Sequence, residues 1–196
     1  MMYHFDYLSL LLADAFDAEA RIARRTYGIS SPKERYASFR NPEYQQALQG
    51  SGAQHLCELV FGKHFQDVMT LLYTMRNTIH GSGLLPVGYG TVGQPQESRI
   101  TVPARYQEDL WNATERHGST ERWGITRLPS GNMFVEPYTY SVILVDECFS
   151  MINAIAAATD VNMLFPKGYP VPSLMIAPPD EKVFAERIRK RLAILG

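Results

Sequence analysis

Thiol chemistry is nearly absent from this chain: Cys57 and Cys148 are its two cysteines in 196 residues. They lie far apart in apolar, helix-like surroundings and form no C-x-x-C pair. That excludes a disulfide framework and reads as two reduced core residues. An excess of charge is missing too. With 19 basic and 20 acidic residues the net charge is −1, so attraction to a polyanion needs a local patch. No G-x-S-x-G, P-loop or H-E-x-x-H occurs, which removes the common hydrolase, nucleotide and zinc-peptidase motifs. Gly88-Tyr89-Gly90-Thr91-Val92-Gly93 matches the spacing of a dinucleotide-binding loop. Leu-Leu-Pro precedes it and Gln94-Pro95 follows, where the loop needs a strand and then a helix, so the match reads as chance. No basic stretch opens the chain and Asp14 interrupts the apolar run Leu8 to Ala13, so no secretory signal is expected. Val142 to Ala158 carries Asp146 and Glu147 and reads as too short and too charged to span a bilayer. The expected setting is cytoplasmic, with no membrane.

What the chain does have is the make-up of an ordinary globule, 45% apolar and 20% charged, in one expected domain over 1–196. Phe5, Leu8, Leu12, Phe16 and Ile22 predict an amphipathic helix over 4–26, closed by Gly28. Ser31-Pro32-Lys33-Glu34 has the form of a capping box opening a short helix, and Asn41-Pro42-Glu43 restarts one. Another short helix spans 53–61. From 84 to 136 the texture is that of a loop followed by a small β insertion. Residues 85–98 read as loop and 99–102 as a short strand, and Pro103 starts a helix running to Gly118. Segments 123–128 and 132–136 then form a hairpin about Pro129-Ser130-Gly131. Pro137 to Thr159 is helical and apolar on most sides. Residues 162–196 are a proline-rich arm and a last amphipathic helix. The expected fold is mainly α: a helical bundle with a small β element inserted around 98–136, with the helices at 65–80 and 137–159 adjacent at its centre.

The helix at 65–80 organises the rest. Phe65, Val68, Leu72, Met75 and Ile79 step by three and four along one buried stripe, and Gly81 and Gly83 supply the stop. Arg76 falls at the rim of that stripe. His80, four residues on, is its neighbour along the helix face, and Asn77 points away. Arg76-Asn77-x-x-His80, followed by Gly81, resembles the motif of HEPN domains. These are helical bundles, many of them metal-independent ribonucleases of toxin, abortive-infection and RNA-guided defence systems. The family spaces its Arg and His by four to six residues, and here three intervene, which turns His80 by about 100°. The resemblance covers the helices around 53–83 and 137–159. It implies a HEPN-like ribonuclease with His80 moving a proton, Arg76 facing the phosphate and Asn77 orienting either group. Two motifs would be paired across a homodimer. It implies no cofactor and no metal. The alternative in keeping with the same helices is a non-catalytic HEPN-like module that binds RNA or a regulatory protein.

Two further features bear on partners. Arg21, Arg24, Arg25, Lys33, Arg35 and Arg40 stand against one acid, Glu34, between positions 21 and 40. They are the candidate contacts for single-stranded RNA, although such runs are ordinarily solvated faces. Tyr36, Tyr44, Tyr73 and Tyr106 could stack bases beside them, or pack at the core edge. In a structural reading of the motif, His80 caps helix carbonyls and Arg76 pairs with a core-edge acid such as Asp146 or Glu147. His55, Cys57 and His64 are spaced against a shared metal, since His55 and Cys57 face different sides of one helix.

Overall fold

The computed structural model describes residues 2–82, 86–89 and 97–164, with the side chains of 5–78 and 99–164. Six helices and four strands lie among the described residues: α1 (Met2–Thr26), α2 (Pro42–Gln49), α3 (Gln54–Val60), α4 (Lys63–Ser82), β1 (Pro86–Tyr89), β2 (Glu97–Val102), α5 (Ala104–Arg116), β3 (Ile125–Arg127), β4 (Met133–Val135) and α6 (Pro137–Ala158). One compact unit spans Met1–Val161. A second spans Asn162–Gly196, and the described residues end in a 3-10 turn, Val161–Leu164. The predicted proline arm and last helix lie outside the described residues.

The bundle is built where the apolar period placed it. Asn41 caps α2, its Oδ1 accepting from the backbone N–H of Glu43 at 2.9 Å and of Tyr44 at 3.3 Å. Glu136 caps α6 in the same way, accepting from Tyr138 N at 2.9 Å and Thr139 N at 2.6 Å, with Pro137 at the first helical position. Phe65 meets Phe16 and Phe39 edge to face, each with centroids 5.9 Å away, joining α4 to α1 and to the chain before α2. As expected, α4 and α6 are neighbours. The buried Tyr140 hydroxyl of α6 donates to the Leu71 carbonyl of α4 at 2.9 Å, and its ring packs 5.3 Å from that of Trp123.

Several expectations need correction. The capping box at 31–34 does not form. Ser31 donates to the Glu43 carboxylate and Glu34 accepts from Arg25, which leaves only a 3-10 turn, Glu34–Tyr36. The supposed loop 85–98 contains β1 and the start of β2. These pair antiparallel with Gly88 opposite Ser98, so the glycine pattern begins within a strand pair. The small antiparallel β element is present as expected, in the order β1-β2-β4-β3, with β1 adding a strand ahead of position 98. Its inner strand β4 is buried at all three residues. Helix α4 runs through Gly81 to Ser82, and it is not a helix of one stripe. Leu71 to Met75 are consecutively buried, and Thr78 as well, because α1, α5 and α6 cover it from several sides. On length and composition alone α6 is able to cross a membrane, with a mean hydropathy of 1.6, against the reading that it is too short and too charged. Here it packs on α1, α3 and α4.

Candidate functional site

Arg76 and Asn77 sit on the second half of α4, and both are half-buried. The covering by neighbouring helices explains why Asn77, placed by the period on the far side, is not exposed. The Arg76 guanidinium lies 5.4 Å from the centroid of Tyr73, one turn earlier. Arg40, from the chain before α2, lies 4.0 Å from the same centroid. Two cations therefore share one ring, whose negative face attracts both. Neither guanidinium forms an ion pair among the described residues, and the buried Nε of Arg76 has no hydrogen-bond partner. Burial pushes the Tyr73 hydroxyl above its ordinary pKa, and Asp17 adds to this against Arg40 and Arg76. The backbone of His80 follows Arg76 one turn later in the same unbroken helix. Its side chain, and so its role, lies outside the described residues.

The basic run divides once it is folded. Arg24 is structural, its Nε donating to Pro32 O at 3.1 Å and Nη2 to Ser30 O at 2.7 Å. Arg25 pairs with Glu34 at 2.5 Å. Arg35 lies over Tyr36, 4.6 Å from its centroid. Arg21 and Lys33 are exposed. Arg40 alone of the six reaches the neighbourhood of Arg76. Tyr44 and Tyr73 are buried and unavailable as stacking platforms, Tyr44 donating to Ala20 O at 2.7 Å, while Tyr36 is exposed.

The structural pairing of Arg76 with Glu147 is overturned. Glu147 faces the other end of α4, where its Oε2 lies 3.6 Å from His64 Nε2. His117, which caps the C-terminus of α5, completes a group whose donor atoms all lie within 4.8 Å of one another. The rings of His64 and His117 have centroids 4.6 Å apart. Behind them is Asp67, 4% exposed, with Oδ2 3.5 Å from His117 Nε2. Arg116 grips Asp67 with two hydrogen bonds, Nε to Oδ2 at 2.7 Å and Nη2 to Oδ1 at 2.5 Å. Burial pushes the Asp67 carboxyl up, but the hydrogen bonds and charge of Arg116, helped by Lys63 and His117, outweigh it and hold the pKa below the ordinary value. Burial and the neighbouring His64 push the His117 imidazole down, against Glu147 and Asp67.

The backbone fixes His117. Its carbonyl accepts from Trp123 Nε1 and Arg122 Nη1, both at 3.2 Å. Gly118 follows at φ +122°, where a Cβ would meet the Arg122 side chain at 2.9 Å. The sequence spacing argues against a site shared by His55, Cys57 and His64, and these three are not brought together. His55 is exposed near Glu58, and Cys57 contacts Leu48 O. The partners of His64 are 53 and 83 residues further along the chain, and no local spacing could have found them.

Compared with known proteins, the chain matches no family model, no curated protein and no solved structure.

Proposed function

We propose that this chain is a HEPN-like, metal-independent ribonuclease that works as a dimer in the cytoplasm. The observation that carries the reading is the pair of guanidiniums, Arg40 and Arg76, on the ring of Tyr73, without a carboxylate partner among the described residues. A phosphate diester would give both guanidiniums a direct partner, and their donors meet it directionally. Cleavage of RNA then needs a base to take the 2′-hydroxyl proton as its oxygen attacks phosphorus, and an acid to protonate the departing 5′-oxygen. Histidine titrates in the right range for both. His80, one helical turn from Arg76, is the group of that kind nearest along α4. One histidine serves one transfer at a time, so the second comes from the partner copy. Arg76 stabilises the charge that grows on the phosphoryl oxygens.

The test is cleavage of mixed single-stranded RNA by the purified protein in EDTA. Cleavage that is lost in His80→Ala supports the proposal; equal cleavage by His80→Ala overturns it. The three-residue gap between Arg76 and His80 favours a second reading, since it turns the histidine by about 100° from the usual family placement. In that case the chain binds RNA through Arg40 and Arg76 without cutting it. Retention of RNA in a filter-binding assay, with no product, would identify that outcome.

A further inference from the structure

His64, His117 and Glu147 converge from the start of α4, the end of α5 and the middle of α6. His64 precedes Arg76 by twelve residues, so along α4 the two groups are about 18 Å apart. We propose that these three side chains bind one divalent transition-metal ion of the Zn2+ class, with water in the remaining position. Two imidazoles and one carboxylate are the donor set that Zn2+ takes where it keeps an open site. The nitrogen donors disfavour Mg2+ and Ca2+, which require oxygen.

The geometry is close to what coordination needs. Metal–donor bonds of about 2.0–2.1 Å in a tetrahedron place donors roughly 3.3 Å apart. The His64 Nε2 to Glu147 Oε2 edge already measures 3.6 Å, and all three donors lie within 4.8 Å. Closing the rest falls to His64, whose side chain is 52% exposed and which also gives the ion its way in from solvent. The fixed member is His117, whose side chain is only 10% exposed.

The surroundings have the form of a built site. A carboxylate beside one ring nitrogen of a ligating histidine fixes its tautomer and leaves the lone pair on the other nitrogen. Asp67 is that carboxylate for His117, and the two hydrogen bonds from Arg116 hold it in place. Trp123 and Arg122 anchor the His117 backbone. An ion pair between His64 and Glu147 alone would account for neither His117 nor the carboxylate behind it. A bound ion would tie the end of α5 to α4 and α6, joining the segment that follows β2 to the bundle.

The experiment uses full-length protein stripped with EDTA and exchanged into chelator-free buffer. It is titrated with ZnCl2 by calorimetry and with CoCl2 by visible absorption. One ion per chain is expected, with d–d bands of four- or five-coordinate cobalt. His64→Ala alters a half-exposed side chain and Glu147→Gln keeps the size of a mostly buried one, and circular dichroism checks that both fold; each weakens binding at least tenfold. Asp67→Asn, a positioning change, weakens it by about 10–100-fold. Zn2+ raises the melting temperature of the wild type and not of His64→Ala. Absence of one-to-one binding by the wild type overturns the proposal. So does binding that is unchanged in both His64→Ala and Glu147→Gln, or a melting-temperature rise of the same size with MgCl2.

Discussion

The Tyr140 hydroxyl donates to the carbonyl of Leu71 at 2.9 Å, across the contact between α6 and α4. Both residues are fully buried, so this bond lies in the middle of the core. Tyr140→Phe keeps the ring and its contact with Trp123 but deletes the donor. The carbonyl lies within α4, where a helical N–H remains to it, so no acceptor is stranded. The cost should be near that of one net hydrogen bond, about 1 kcal/mol, read as a lower urea midpoint with an unchanged m-value.

A larger loss is expected at Asp67. Asp67→Asn breaks the two-bond grip of Arg116 on a buried carboxylate and should cost about 1–3 kcal/mol. The effect carries a pH signature. The folded-state pKa of Asp67 is depressed, so its stabilisation is present above the unfolded value of about 3.9 and is lost as pH falls through the lower folded value. The difference between wild type and Asp67→Asn should persist down to about pH 5 and shrink below about pH 4. Urea melts in EDTA at several pH values measure it; a difference that grows below pH 4 would contradict the assignment.

Much of this fold could be read from the sequence, and the part that could not has a physical reason. The amphipathic period of α1, the Asn41 and Glu136–Pro137 starts, and the Pro129-Ser130-Gly131 turn are local features set by neighbours in the chain. Arg76 and Arg40 could be singled out one by one as cations. Their meeting on Tyr73 depends on how the segment before α2 crosses α4, and no spacing encodes that. The Ser31–Glu34 box failed because each side chain found a better partner outside its own turn. Asp67 and Arg116 lie 49 residues apart, and the cluster of His64, His117 and Glu147 likewise exists only once α4, α5 and α6 are packed.

If Arg76 and His80 act on one phosphate, their losses are not additive. His80→Ala removes a proton transfer and Arg76→Ala removes charge stabilisation, and each should slow cleavage on the order of 10²-fold or more. The double variant should be little slower than the worse single one, because the residues work as a unit. Single-turnover rates on one RNA oligonucleotide measure this. Rates that multiply, giving a double variant slower by the product of the two, would mean that the two side chains act independently.

The last prediction separates Arg40 from the exposed cations of the same run. If Arg40 and Arg76 hold a phosphate between them, each neutralises backbone charge and releases counterions on binding. Arg40→Ala should then weaken single-stranded RNA binding across sequences and lower the slope of log K against log salt by about 0.7. Arg76→Ala should do the same. Arg24→Ala is the control. Its guanidinium is taken up by the carbonyls of Ser30 and Pro32, so its loss should lower the melting temperature and leave the salt slope unchanged. Arg40 is exposed and its removal takes away no ion pair, so Arg40→Ala should melt within a few degrees of the wild type. Affinities measured between about 50 and 200 mM salt read these slopes. An Arg40→Ala slope equal to the wild type, together with an intact fold, would remove Arg40 from the phosphate site and leave Arg76 without its partner on Tyr73.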